Sequence, residues 1–159
     1  MNSAAAGSVL AVTSLLKDNP DLHANCKDID GRSPLHLASE WGNLGVVHLL
    51  LAHPGIEVNS LSSRRETPFS VACRDGHLQI VQFLLRDPQV HVTLPDFHNC
   101  TPLCHAAFRG EWGVVELLIA SGRDLGNLSE KGLWKGKDST ALEMAREREF
   151  SSSQQVASF

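Results

Sequence analysis

No run of roughly 18 apolar residues occurs in this chain, so no segment qualifies as a membrane-spanning helix. An excess of positive charge is also missing. Fourteen Lys and Arg against 18 Asp and Glu leave a net charge of −4, with no global basic field to draw in nucleic acid. Positive residues do gather at Lys27, Arg32, Arg64, Arg65 and Arg74, but Asp28, Asp30, Glu66 and Asp75 are interleaved with them, so a mixed surface is expected. The four cysteines, Cys26, Cys73, Cys100 and Cys104, lack the spacing of a disulfide framework and read as free thiols. No Lys or Arg precedes the mildly apolar stretch 4–16, which argues against a signal peptide. These absences point to an intracellular protein, cytoplasmic or nuclear. At 159 residues there is room for one domain without an appended catalytic module. The eight histidines are scattered, and no Ser/His/Asp or Cys/His set assembles from them. Neither enzymatic activity nor a cofactor or metal is expected.

What the chain has is a repeat. Ser33-Pro34-Leu35-His36-Leu37-Ala38 returns as Thr67-Pro68-Phe69-Ser70-Val71-Ala72 and as Thr101-Pro102-Leu103-Cys104-His105-Ala106, a period of 34 residues. Gly42, Gly76 and Gly110 keep that period, as do Val46-Val47, Ile80-Val81 and Val114-Val115. Leu49-Leu50-Leu51, Phe83-Leu84-Leu85 and Leu117-Leu118-Ile119 follow at the same offset. A fixed period of this length marks a stacked repeat protein. Such stacks work through extended binding surfaces.

Each block reads as two short helices. Ser or Thr before Pro is an N-cap followed by a first-turn proline, whose missing N–H has no helical partner to lose. The first helix runs from that proline to the residue before the glycine, which turns the chain into a second helix with i, i+3, i+4 apolar spacing. Pro54 and Pro88 require the second helices of the first two blocks to stop before them. Gly122 is the expected stop in the third.

These residues resemble the ankyrin repeat, whose pattern is matched by Asp28, Gly31, Ser33, Pro34, Leu35, His36, Ala38, Gly42, Val46, Val47, Leu49 and Leu50. The match covers about Asn25 to Leu125. The resemblance implies an all-α repeat solenoid, a helix-turn-helix stack with β-turn fingers. Fingers and first helices would form a concave recognition face. Residues 25–58, 59–92 and 93–125 are the three full repeats of a single domain spanning 1–159. Val12, Leu15 and Leu16 align with Val46, Leu49 and Leu50, so 1–24 reads as a partial, capping repeat. Segment 126–159 reads as an insertion around Trp134, followed by a cap position at Ser139-Thr140-Ala141-Leu142 and a degenerate or truncated last repeat.

The repeat frame disposes of several tempting signals. His98, Cys100, Cys104 and His105 are four zinc-type ligands in eight residues, but the frame puts Cys100 on a finger and Cys104 on a helix, facing different directions. Ser33-Pro34, Thr67-Pro68 and Thr101-Pro102 resemble phosphorylation sites, yet each is a structural cap. Asn99-Cys100-Thr101 fits a glycosylation acceptor, without consequence inside a cell. Trp112 aligns with Leu44 and Leu78 and is expected in the core.

The resemblance places partner contacts at the fingers and at the two residues before each inter-helix glycine. In the first block these are Lys27, Ile29, Asp30, Arg32, Glu40 and Trp41; in the second Leu61, Ser63, Arg64, Glu66, Arg74 and Asp75; in the third Pro95, Phe97, His98, Cys100, Phe108 and Arg109. Interface energy concentrates in aromatic residues and Arg, which singles out Trp41, Phe97, Phe108, Arg74 and Arg109. The second finger departs from the pattern. Ser62 and Arg65 stand where the first block has Asp28 and Gly31, and Arg in left-handed geometry costs about 1–2 kcal/mol, so a reshaped or looser finger is expected. The leading expectation is a monomeric, non-catalytic module (adaptor, scaffold or inhibitor) that binds a folded protein and neither nucleic acid nor membrane. The alternatives are a stacking fragment of a longer array and, remotely, a Cys/His metal or redox sensor.

Overall fold

The proline-led segments form short helices, and each is followed by a second helix running back beside it. A computed structural model describes residues 24–126, the backbone of 132–134 and 137–139, and residues 140 and 143. The proposed capping helix around Val12–Leu16 and the chain beyond Glu143 lie outside the described residues. The first repeat contains α1 (Pro34–Glu40) and α2 (Leu44–Leu51), the second α3 (Pro68–Arg74) and α4 (Leu78–Leu84), and the third α5 (Pro102–Arg109) and α6 (Trp112–Ala120). The first helices end at or one residue short of the position before each glycine. The second helices stop ahead of Pro54, Pro88 and Gly122. Beyond them, β1 (Gly132–Trp134) pairs antiparallel with β2 (Lys137–Ser139), a small ribbon added to the helical stack within the insertion.

Capping is repeated with variations. Ser33, Thr67 and Thr101 are all extended, with ψ of 166°, 161° and 165°. Thr67 Oγ1 accepts from the Ser70 N–H at 3.1 Å, while Ser70 Oγ accepts from the Thr67 N–H at 3.0 Å, a reciprocal capping box. In the first repeat the His36 ring plays the returning role, its Nδ1 accepting from the Ser33 N–H at 3.0 Å. The pattern recurs at the cap position expected after the insertion. Thr140 Oγ1 accepts from the Glu143 N–H at 3.2 Å, and the Glu143 carboxylate accepts from the Thr140 N–H at 2.9 Å.

One continuous core runs through all three repeats, from Leu35, Val47 and Leu50 through Phe69, Ile80 and Leu84 to Leu103, Val114 and Leu118. The first helices stack on one another in one layer, and α6 packs on α4 in the other. Trp112 does not join this core. It is 42% exposed, and Leu78 at the same position of the second repeat is 45% exposed. That position opens the second helix, outside the stripe of Val114 and Leu118 that faces inward, so repeat alignment with leucine is no guarantee of burial.

Polar ties close each repeat on itself and connect one repeat to the next. Asn25 Nδ2 donates to the Gly55 carbonyl and its Oδ1 accepts from the Glu57 N–H, each at 2.9 Å; Asn59, one period later, does the same with Gln89 and His91. Because His36 Nδ1 is an acceptor, Nε2 carries the proton and donates to the Glu66 carbonyl in the next finger, at 2.9 Å. His77 Nε2 donates back to the Glu40 carbonyl at 2.8 Å. The His77 ring lies where a Cβ on Gly42 would sit, at 2.7 Å, and Gly42 has a φ of 67°. Arg123 closes the third repeat onto the second, donating to the carbonyls of Leu85, Asp87 and Val90.

The second finger is not reshaped. Gly31, Arg65 and Asn99 share left-handed geometry, with φ of 70°, 60° and 61°. In the first finger, Asp28 Oδ1 accepts from the N–H groups of Asp30 and Arg32; in the third, Asp96 Oδ1 accepts from those of His98 and Cys100. Ser62 Oγ does the same for Arg64 and Glu66, at 3.2 Å each. A hydroxyl thus replaces the carboxylate as the turn acceptor. The fingers also tie to one another: the Ser63 N–H donates to the Asp30 carbonyl at 2.9 Å, and the Phe97 N–H to that of Arg64 at 3.2 Å. Neighbouring fingers and the serine together hold Arg65 in a conformation it disfavours.

Two expectations follow from these contacts. Arg65→Gly relieves about 1–2 kcal/mol of left-handed strain and returns about 0.5–1 kcal/mol as unfolded-state entropy. A net gain between zero and about 1.5 kcal/mol is therefore expected in urea denaturation. Burial holds the His36 ring below its ordinary pKa, against the opposing contact with the Glu66 carbonyl. Between the lowered folded value and the ordinary one near 6.5 the unfolded chain binds the extra proton, so stability is full above that pH and declines as pH falls through the window. His36→Gln should show a smaller loss of stability from pH 7.5 to 5.5 than wild type. A wild-type loss no larger than the variant's would remove His36 from this role.

Candidate functional site

Fingers and first helices enclose a groove of about 620 Å³ across all three repeats. Asp30, Arg32, Glu40, Arg64, Glu66, Arg74, Phe97, His98 and Arg109 line it, together with Ser62, Ser63, Asp96 and His105. The remaining candidates sit around it. Ile29 and Trp41 project into solvent, at 99% and 79% exposure. Lys27 is half-way engaged, its Nζ donating to the Leu61 carbonyl at 2.8 Å. Asp75 holds Arg74 through two hydrogen bonds, of 3.0 and 2.8 Å. Phe108 packs on Cys100 and Cys104, and Leu61 and Pro95 are half-buried.

The groove is built on a brace that recurs every 34 residues and changes chemistry each time. It joins a finger residue to the first-helix residue eight positions on. In the first repeat, Arg32 Nη1 meets Glu40 Oε2 at 3.1 Å. In the second the charges are exchanged, and Arg74 Nη1 meets Glu66 Oε1. In the third the pair is apolar: Cys100 is buried beside Cys104 with Phe108 over them. The first two braces also communicate, since Arg74 Nη2 lies 4.0 Å from Glu40 Oε1. Arg32 additionally reaches Asp28 at 2.9 Å and Asp30 at 3.4 Å. Hydrogen bonds donated to Asp75, opposed by burial and reinforced by Glu66, hold the Arg74 guanidinium firmly in its charged form. Arg74 is thus fixed to its own chain, with its side chain 15% exposed.

The third repeat has its own buried pair. Asp96 Oδ2 lies 3.2 Å from His105 Nε2, and both side chains are 5% exposed. Burial opposes ionisation of Asp96, but the His105 ring and the N–H groups of Cys100 and His98 outweigh it and hold the carboxyl below its ordinary range. Cys100 and Cys104 do not face different directions. One helical turn brings Cys104 back under the finger, so the two side chains share a pocket. The hydrogen bond with Cys104, and then burial, push the Cys100 thiol well up, which keeps it protonated. His98 is turned away onto the Phe97 ring, with centroids 4.0 Å apart. The four zinc-type residues are therefore divided among three different contacts. Among the described residues no group of three or more His, Cys, Asp or Glu is placed to hold a metal ion. Ser33 and Thr67 are 1% and 0% exposed, in keeping with structural caps.

Sequence reasoning missed the inner lining of Asp96 and His105 and the acceptor role of Ser62. Asp96 and His105 left no signal, because nothing in their separation marks a contact. The brace did leave one, in the exchange of Arg and Glu between positions 32/40 and 66/74.

Three family descriptions match the chain: "Ankyrin repeats (3 copies)" over residues 1–62, "Ankyrin repeats (many copies)" over 50–106 and "Ankyrin repeat" over 98–130. Together they cover residues 1–130 without a gap, and the chain belongs to the ankyrin-repeat family. No curated protein matches it. Ankyrin repeats are in general protein–protein interaction modules. No helix among the described residues is long and apolar enough to cross a membrane.

The brace makes a direct expectation. Glu66→Ala leaves Arg74 with Asp75 and the more distant Glu40, and is expected to cost about 2 kcal/mol, below the range for a fully buried pair because some solvent remains. The double variant Glu66→Cys/Arg74→Phe copies the third repeat and should recover most of that loss. Chemical denaturation of both variants checks it, and equal losses would show that the apolar brace cannot replace the ionic one.

Proposed function

We propose that this chain is a non-catalytic interaction module, an adaptor, scaffold or inhibitor, that grips a folded protein partner through the groove between its fingers and first helices. The observation that carries this reading is the convergence of finger and first-helix side chains from three successive repeats on one continuous groove. Backbone ties between neighbouring fingers and the braces beneath them keep its walls in place before a partner arrives. Preorganisation of this kind lowers the ordering cost of association. Trp41 and Phe97 stand at the rim, where exposed aromatic side chains supply interface energy at low conformational cost. The module acts as a monomer in the cytoplasm or nucleus, without metal, cofactor, nucleic acid or lipid.

Capture of binding proteins with the wild-type chain and with the Trp41→Ala/Phe97→Ala/Arg109→Ala triple variant tests the assignment. All three side chains are at least partly exposed, so folding should survive. Recovery of the partner is expected to fall at least about tenfold. Undiminished recovery would move the interface off this face.

A further inference from the structure

We propose that the groove receives an acidic polypeptide segment, an extended stretch whose Asp or Glu carboxylates are held by Arg64 and Arg109 and whose neighbouring apolar side chain rests on Phe97. The proposal names a partner chemistry for the groove and rests on its reading as the interaction face.

Formal charges along the groove balance, but the charge open to a partner does not. Every acidic side chain in the lining has a cation or hydrogen-bond donor on it. Glu40 is met by Arg32 and Arg74, Glu66 by Arg74, Asp30 by Arg32, and Asp96 by His105 and two backbone N–H groups. The cations divide differently. Arg32 and Arg74 are engaged in these pairs, whereas Arg64 and Arg109 are exposed and make no ion pair among the described residues. The change of brace explains part of this. Where the second repeat has Glu66, Arg74 and Asp75, the third has Cys100, Phe108 and Arg109, so Arg109 replaces a carboxylate and the apolar brace offers it none.

An apolar contact adjoins this positive charge. Phe97 is 55% exposed, and its N–H donates to the Arg64 carbonyl, so ring and guanidinium belong to directly paired fingers. Arg favours bidentate recognition of carboxylates, and an aromatic beside it selects a segment that mixes acidic and apolar residues. A nucleic acid strand fits less well: its continuous row of phosphates would have to run past Asp30, Glu40 and Glu66.

Panning a phage-displayed library of random peptides on the immobilised full chain tests the proposal. Fluorescence anisotropy of the selected peptides then compares wild type with Arg64→Gln/Arg109→Gln and with Phe97→Ala, and circular dichroism melts verify that each variant is folded. The expected result is enrichment of peptides combining Asp or Glu with an apolar residue. Their affinity should fall about tenfold or more in the double arginine variant, and should weaken as salt is raised. Enriched peptides without acidic residues that still lose affinity on Phe97→Ala would overturn the acidic partner and leave the groove as the interaction face. Acidic peptides indifferent to all three substitutions would overturn both readings. Failure to enrich any peptide overturns the docking of an extended segment, as does tighter binding of a poly(dT) oligonucleotide than of the selected peptides.

Discussion

Helices of seven to nine residues fall short of the roughly 12–15 needed for even marginal stability alone in water. Everything else in this structure depends on that shortfall. Each pair persists because its apolar face is closed by the next pair, so Leu35, Phe69 and Leu103 are one core although they are distant in sequence. Stability is therefore a property of neighbours. The polar contacts between repeats follow the same logic: His36, His77 and Arg123 each satisfy a group belonging to an adjacent repeat.

Stacking also organises the concave face. Fingers that hydrogen-bond edge to edge, with a brace under each, line one groove shared by the three repeats. The brace varies from Arg–Glu to Glu–Arg to Cys–Phe while the backbone around it stays constant. A position that tolerates either polarity of ion pair, or none, is constrained by geometry more than by charge. That freedom allows successive repeats to offer different surfaces on one frame. In the first two repeats the charged brace consumes its own cation, and in the third the apolar brace leaves Arg109 uncovered.

Much of this was legible in advance. The period of 34, the Ser/Thr-Pro caps, the turn glycines and the second-helix leucines each express a local rule of helix initiation, termination or burial, and the helices fall where those rules put them. The second finger keeps the shape of its neighbours although the intrinsic preference of Arg65 points the other way. The Ser62 hydroxyl and two paired fingers override that preference. Cys100 and Cys104 belong to a finger and a helix, yet they meet because the finger lies close to the first turn beside it. Trp112 aligns with leucines that are themselves only partly covered, so the alignment does not carry burial.

By itself the sequence determined the repeat, its helices and turns, and most of the positions that line the groove, because those depend on interactions a few residues long repeated at a fixed interval. Only the tertiary structure decided which of those side chains are free to act. Arg74 and Arg64 look alike in the sequence; one is locked between Glu66 and Asp75, and the other stands open beside Phe97. The reason is that ion pairing falls off over a few ångströms in space. Whether a charge is engaged is therefore set by which side chains the stacked repeats bring together.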